Sequence, residues 1–289
     1  MRSKCIMLVA AIVTAALHAQ GGAPEKLRGP NGHILVTIPA GKYSLGGKGD
    51  AFNPPHVATL RAFRISDAET TNAEFAAFVK ATGYITDAER RGFGKTFREG
   101  MADWAWNDDD GASWRLPRGR GGPTAADLPN HPVTQISGAD AEAYCRWVGG
   151  RLPTCDEWEA AARAGARTRY PWGDKFIPGR ANIWNGGTHA KEDPVDGYVY
   201  TAPVRSYPPN AWGLYDVIGN VFEYCEGLPP SMRGKEDVII SGRGGSWWCS
   251  AGTCNSFNLV TIGHMDKHGS LANQGFRAAF DIAPMQRQR

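Results

Sequence analysis

Two long stretches without hydrophobic periodicity constrain the fold of this chain more than any other feature. They run from Phe93 to His131 and from Tyr170 to Pro209, and both are rich in Gly, Pro, Asp and Trp. The 36 Gly and 19 Pro residues favour turns and loops, which disfavours a helical bundle or a long coiled coil. The aromatic side chains can still anchor a core, because each ring buries a large apolar area. We therefore expect long ordered loops held in place by aromatic residues.

Three short helices are predicted by capping boxes, in which a Ser or Thr is followed three residues later by an acidic residue. The pairs are Thr71 with Glu74, Ser137 with Asp140 and Thr154 with Glu157. Short runs rich in β-forming residues flank these helices at 34–38, 57–65, 238–240 and 276–282. No repeat or low-complexity linker interrupts residues 31–283, which predicts one α+β domain followed by a tail at 284–289.

The N-terminus has the layout of a secretory signal peptide. Arg2 and Lys4 precede a short apolar run, and small residues follow it up to Ala19. The run is too short to span a bilayer, so a membrane-spanning segment is not expected. We expect residues 1–20 to be a signal peptide and residues 21–30 to form a mobile arm. The protein is accordingly predicted to be periplasmic or secreted.

Several segments then match one family in chain order. They include ETTNAEF at 69–75, DAEAYCRW at 140–147, RLPT at 151–154, GLYDVIGNVFE at 213–223 and RGGSW at 243–247. In these motifs the chain resembles the formylglycine-generating enzymes, the sulfatase-modifying factor family. The resemblance covers nearly the whole predicted mature chain. It implies a compact single domain with little regular secondary structure, related in fold to C-type lectins.

The resemblance implies a copper site at two cysteines. In the active family two cysteines separated by four residues follow a GGS segment, and Cys249 and Cys254 have that separation here. By resemblance both thiolates hold Cu(I), for which sulfur is a suitable soft ligand, and Ser246 lines a pocket for the cosubstrate O2. Cys254 corresponds to the exposed, exchangeable thiol of the pair and Cys249 to the more buried one. The close spacing also permits a plain disulfide without a catalytic role.

The resemblance further implies two calcium ions, each held by backbone carbonyls and one carboxylate, a set of hard oxygen ligands. The implied ligands are Asn182, Ile183, Asp196 and Tyr198 for one ion, and Ile218, Gly219, Val221 and Glu223 for the other. The alternative is that Asp196 is a turn residue and Glu223 an ordinary loop acid.

The implied activity is the O2-dependent oxidation of a cysteine of an exported polypeptide, such as a sulfatase, to formylglycine. After Cys254, however, the chain carries NSFNLVT at 255–261, where the family typically carries Arg and Tyr residues that shape a peptide groove. Two other functions therefore stay open: oxidative maturation of another periplasmic substrate, such as a pyoverdine-type siderophore chromophore, and a non-catalytic calcium-stabilised binding domain. The net charge of +3 provides no electrostatic footprint for nucleic acid, and a monomer is expected.

The remaining cysteines have no partner that the sequence can assign. The family position that would pair with Cys145 is Ala278, so Cys145 is either free or paired with a new partner such as Cys225. Cys155 lies in the first turn of the third predicted helix, where the helix dipole would lower a thiol pKa. It is therefore either a reactive thiol or a buried structural cysteine.

Overall fold

The computed structural model describes residues 26–29 and 32–282. The predicted signal peptide at 1–20 and the predicted tail at 284–289 lie outside these residues. Within the described ranges, no helix combines the length and the apolar character that crossing a membrane requires.

The strands are short and are distributed over several small sheets. In chain order they are β1 (Lys26–Arg28), β2 (Ile34–Ile38), β3 (Gly41–Leu45), β4 (His56–Leu60), β5 (Phe63–Ser66), β6 (Phe93–Thr96), β7 (Asn107–Asp110), β8 (Phe222–Cys225), β9 (Ile239–Arg243), β10 (Gly263–Asp266), β11 (Gln274–Gly275) and β12 (Ala279–Asp281). One antiparallel sheet has the order β1-β2-β5-β12. A second sheet has the order β10-β9-β8-β11, in which only the β8–β11 pair is parallel. The pairs β3–β4 and β6–β7 form two-stranded ribbons.

The helices begin at the capping boxes. They are α1 (Asn72–Thr82), α2 (Asp87–Arg91), α3 (Gly138–Trp147) and α4 (Cys155–Arg163), and the three predicted boxes are confirmed at α1, α3 and α4. The prediction missed α2, although Thr86 and Glu89 form the same reciprocal cap in front of it. The capping signal for α2 is therefore present in the sequence.

Two predicted segments differ from the structure. In the arm expected to be mobile at 21–30, Lys26–Arg28 form strand β1 at the edge of the first sheet. The backbone of β1 pairs with β2, and Lys26 forms an ion pair of 3.0 Å with the buried carboxylate of Asp67. The run predicted as one strand at 57–65 is divided between β4 and β5, which belong to different sheets.

Aromatic packing orders the long loops, as the composition predicts. Phe75 of α1 stacks on Tyr144 of α3, with ring centroids 5.8 Å apart. Another cluster combines Trp158 of α4 with Trp184 and Trp247 of the loops, all at most 1% exposed. The first long stretch also contains the β6–β7 ribbon, so it is less irregular than expected. The described residues form the predicted mixed α+β domain.

Candidate functional site

Two consecutive glycines shape the loop that carries the predicted copper ligands. Gly244 and Gly245 follow β9 with φ angles of 85° and 77°, which disfavour residues with a Cβ atom. A Cβ atom at Gly245 would lie 2.6 Å from the Cα atom of Phe257. The glycines therefore allow the segment that contains Cys249 to pack closely against the segment that follows Cys254.

The structure brings Cys249 and Cys254 together as two free thiols. Cys249 is 0% exposed and Cys254 is 8% exposed, so Cys249 is the more buried of the two, but Cys254 is buried as well and not exposed as the resemblance implied. A hydrogen bond from Cys249 lowers the pKa of the Cys254 thiol, whereas burial raises the pKa of Cys249 well above its usual value. Cys254 is thus the more acidic thiol of the pair.

Ser246 lies next to this pair. Its Oγ atom is 3.8 Å from the sulfur of Cys249 and accepts a hydrogen bond of 3.0 Å from the Asn273 amide. The side-chain oxygen Oδ1 of Asn273 is buried without a partner in the described structure. Sequence analysis missed Asn273, because it lies 27 residues from Ser246 and belongs to no recognised spacing pattern.

An aromatic shell that sequence analysis also missed covers residues 244–254, here called the thiol loop. His189 stacks on Trp248, with ring centroids 4.2 Å apart and an interplanar angle of 9°. The two His189 nitrogens contact the carboxylate of Asp103 at 2.6 Å and the carbonyl of Trp248 at 2.8 Å. His189 is fully buried. Trp104 packs edge-on against the indole of Trp248, with ring centroids 4.6 Å apart. This shell holds the backbone next to Cys249 and shields it from water.

The first set of predicted calcium ligands converges on Asp196. Its carboxylate accepts hydrogen bonds from the amide of Ile183 at 3.0 Å, the side chain of Asn185 at 2.8 Å and the amide of Tyr198 at 3.2 Å. Asn182 lies beside them and donates to the carbonyl of Tyr200, at 2.8 Å. The loop therefore gathers all four predicted residues.

Glu192 is a further acid in this loop that sequence analysis did not single out. One of its carboxylate oxygens accepts the backbone amide of Asn185 at 2.9 Å, and the other is buried without a partner in the described structure. Burial, reinforced by the negative charge of Asp196, raises the pKa of Glu192 to about 7. Both oxygens of Asp196 already accept protein donors, so the group at this loop that suits a hard cation is the unpartnered oxygen of Glu192, which lies outside the predicted set.

The second set fits calcium less well. Gly219 has a φ angle of 80°, and a Cβ atom there would lie 2.2 Å from the carbonyl oxygen of Asn182. Ile218 and Val221 lie on either side of Gly219 in the chain. Both carboxylate oxygens of Glu223, however, already accept hydrogen bonds from protein donors. Arg277 binds the carboxylate at 2.5 and 2.6 Å, and the Trp158 indole donates to it at 2.8 Å.

Arg277 is a positive counter-charge for three buried acidic residues. Besides Glu223, the carboxylates of Glu69 and Asp216 lie within its electrostatic reach. Burial raises the pKa of Glu69 well above its usual value and that of Asp216 to about 7, and the negative charge of Glu223 adds to both shifts. Arg205 also lowers the pKa of Asp216, but its guanidinium is paired with Asp67, so Arg277 is the main counter-charge of the three acids.

Asn220 connects these regions. Its side-chain oxygen accepts from Asn182 at 3.0 Å, and its amide group donates to Glu69 at 2.7 Å. Its carbonyl oxygen accepts the amide of Trp247 in the thiol loop at 2.9 Å. Among the residues that the structure describes, no three His, Cys, Asp or Glu side chains form a metal-ligand group. Calcium would therefore depend on backbone carbonyls, as the resemblance implies.

The comparisons agree with this architecture. The family model described as "Sulfatase-modifying factor enzyme 1-like domain" matches residues 21–282. The formylglycine-generating enzyme of Streptomyces coelicolor is 39% identical, covering 95% of this chain and 97% of that protein. A Bos taurus relative named inactive C-alpha-formylglycine-generating enzyme 2 is 35% identical over 85% of this chain and 87% of its own length.

A solved structure supports the fold. The structure of PvdO from Pseudomonas aeruginosa superposes with a TM-score of 0.67 at 23% identity, covering 90% of this chain and 99% of that one. The sequence-based resemblance and the predicted fold are thereby confirmed. The chain belongs to the formylglycine-generating enzyme family, also called the sulfatase-modifying factor family.

Proposed function

We propose that this protein is a copper-dependent oxidase that uses O2 to convert a cysteine of an exported polypeptide, such as a sulfatase, to formylglycine. One observation carries the proposal: Cys249 and Cys254 are adjacent free thiols beside Ser246, at the spacing of the active family. Family membership alone would not suffice, because a relative at 35% identity is named inactive.

The two thiols suit Cu(I), because soft sulfur ligands select this ion over harder cations. Bound copper would supply the electron-transfer chemistry towards O2. Cys254 would provide the thiolate that is more readily formed, since its neighbour lowers its pKa. Ser246, held by Asn273, would offer a hydroxyl group at the reacting end of the site. The stack of His189 on Trp248 would keep water away from the two thiols.

A cavity next to the thiol loop is the proposed place for the polypeptide. It has a volume of about 580 Å³, and its lining includes Arg167, Arg169 and Asn255, the residue after Cys254. Arg169 donates to the side chain of Asn255 at 2.8 Å. Arginines from the loop after α4 would thus supply guanidinium groups that the segment 255–261 lacks.

The experiment is the turnover of a peptide that contains Cys-x-Pro-x-Arg. Conversion of a thiol to an aldehyde removes two electrons, whereas full reduction of O2 takes four, so the assay includes a dithiol as electron donor. Mass spectrometry should show that sulfur and two hydrogens are replaced by one oxygen. Cys249→Ser and Cys254→Ser should abolish turnover, whereas Cys145→Ser, which alters a buried thiol outside the pair, should retain it.

Copper binding is measured separately by titration of the reduced protein with Cu(I) in competition with a chelator. Tight binding should require Cys254. Equal affinity in the wild type and in the Cys249→Ser/Cys254→Ser variant would refute the copper site.

A protein that binds Cu(I) but leaves the peptide unchanged would refute sulfatase activation. The replaced segment NSFNLVT at 255–261 favours oxidative maturation of another exported substrate, such as a siderophore chromophore, as the second candidate. Disruption of this chain should then leave a non-fluorescent precursor in the exported pool. Absence of copper binding altogether would favour a calcium-stabilised binding domain. Export by the leader at 1–20 and a monomeric state are part of the proposal.

A further inference from the structure

A second pair of cysteines lies outside the proposed copper site. Cys155 is the first residue of α4, and Cys225 is the last residue of β8. Both are free thiols. Their thiol groups contact the backbone carbonyls of Gly227 and Glu223, each at 3.5 Å, and the two thiols are near enough to shift each other's pKa. Cys145, the partner that the sequence had suggested for Cys225, is a separate buried thiol.

Backbone hydrogen bonds hold the two segments side by side. The amide of Cys155 donates to the carbonyl of Glu226 at 2.9 Å, and the amide of Glu226 donates to the carbonyl of Pro153 at 2.9 Å. Thr154 and Glu226 thus form a parallel bridge next to both cysteines. The proximity of the thiols therefore follows from a fixed backbone contact and does not depend on a chance rotamer.

The two thiols differ in access. Cys155 is partly exposed and lines a cavity of about 410 Å³ together with Pro54, His56 and Pro229. Cys225 is only 1% exposed. A small disulfide or a disulfide-bearing partner can therefore reach Cys155 more readily than Cys225, which is almost fully buried and borders a separate cavity of only about 150 Å³.

The surroundings of Cys155 also favour a thiolate. Hydrogen bonding by the Cys225 thiol lowers the pKa of Cys155, and the positive charge of Arg243 lowers it further. The position at the N-terminus of the nine-residue helix α4 acts in the same direction. An accessible thiol whose pKa is lowered, although burial opposes the shift, next to a buried thiol is an arrangement that favours thiol–disulfide exchange.

We propose that Cys155 and Cys225 are a redox-active dithiol, which a disulfide oxidant converts to a disulfide between α4 and β8. The Cys155 thiolate attacks one sulfur of the oxidant, and one oxidant thiolate leaves and takes up a proton. Cys225 loses its proton and attacks the Cys155 sulfur of this mixed disulfide, which releases the second oxidant thiol. Two protein thiols are oxidised, and one disulfide is reduced to two thiols.

The bond would join elements that meet behind the copper site. Trp158 of α4 donates to Glu223 of β8 at 2.8 Å, and these residues lie three and two positions from the paired cysteines. A disulfide would therefore tie the helix to the strand close to this buried contact. It would stabilise the fold without using either predicted copper ligand.

The test is peptide mapping of the folded protein after incubation with oxidised glutathione, followed by alkylation of the remaining thiols under denaturing conditions. We expect a cross-link between the peptides that contain Cys155 and Cys225, in the wild type and in the Cys249→Ser/Cys254→Ser variant. Cys225→Ser should instead accumulate glutathione on Cys155, because the resolving thiol is missing. Cys155→Ser should leave Cys225 unmodified, and Cys145→Ser should retain the cross-link.

Recovery of both residues as alkylated thiols in the wild type would overturn the proposal. So would a cross-link from Cys225 to Cys145. The wild-type measurement requires no substitution, so it stands even if a variant fails to fold. Because the readout is a cross-link, it is also independent of whether the protein oxidises a peptide.

Discussion

Replacement of Arg277 by methionine tests the buried charge network behind the thiol loop. The Arg277 and Glu223 side chains are 0% and 1% exposed, and the guanidinium binds the carboxylate through two hydrogen bonds. Arg277 also donates to the carbonyl of Tyr215 at 2.9 Å. Methionine has a similar length but can make none of these contacts.

The substitution leaves a buried carboxylate whose remaining hydrogen-bond donor is the Trp158 indole. Removal of one partner of a buried ion pair costs about 3–5 kcal/mol, because the other charge stays uncompensated. Glu69 and Asp216 lose the same counter-charge. We therefore expect Arg277→Met to lower the free energy of unfolding by about 4 kcal/mol, a large part of the ~5–15 kcal/mol typical of a domain.

Urea denaturation followed by tryptophan fluorescence measures this loss, in buffers with calcium and with chelator. The matched control is Arg90→Met, because Arg90 forms a 2.9 Å pair with Asp87 while its side chain is 52% exposed. That exposed pair should contribute only ~0–1 kcal/mol. The double variant Glu223→Gln/Arg277→Met should lose less stability than the sum of the two single variants, because the orphaned charge is removed.

A loss below about 1 kcal/mol for Arg277→Met, equal to that of the exposed control, would refute the reasoning. It would mean that the buried carboxylates are neutralised in another way, for example by protonation. Additive losses in the double variant would equally contradict a direct Glu223–Arg277 interaction.

Three further predictions concern metal, pH and helix capping. Calcium should raise the melting temperature in thermal scans, because it binds the native state, and Asp196→Asn should remove this increase while the exposed control Asp193→Asn retains it. In buffer with a calcium chelator, the pKa of Asp216 is about 7 in the folded protein and 3.8 for an ordinary aspartate. The wild type should therefore lose stability as the pH rises from about 4 to 7, because the carboxyl group is harder to ionise in the folded state. Asp216→Asn should therefore melt higher than the wild type above pH 7 and equally below pH 4, and a pH-independent difference would contradict this. Thr86→Ala should cost ~1 kcal/mol in urea denaturation by removing the cap of α2, and no loss would contradict the capping role.

Much of the local structure could be predicted from the sequence. The capping boxes at Thr71, Ser137 and Thr154 place three helices, because a cap involves groups only three residues apart. The aromatic loops and the single α+β domain were predicted from composition and patterning. The family followed from ordered motifs. Helix α2 carries the same local signal at Thr86 and Glu89, but it was not predicted.

The candidate site was predicted only where its residues are close in the sequence. Cys249, Cys254 and Ser246 belong to one short segment, so the family motif to which that segment is similar could single them out. Asn273 and Glu192 carried no such signal. The contact of His189 with Asp103 spans 86 residues, and neither residue belongs to a periodic segment. The path of the intervening loops decides such a contact.

The sequence by itself therefore determined the family, the helix starts and the thiol pair at 249 and 254. The tertiary structure alone decided that Glu223 faces Arg277 and that Cys155 lies against Cys225. The physical reason is the range of the interactions involved. Caps and motif spacings are satisfied within a few residues, whereas buried charges and thiols acquire partners only when distant segments pack together.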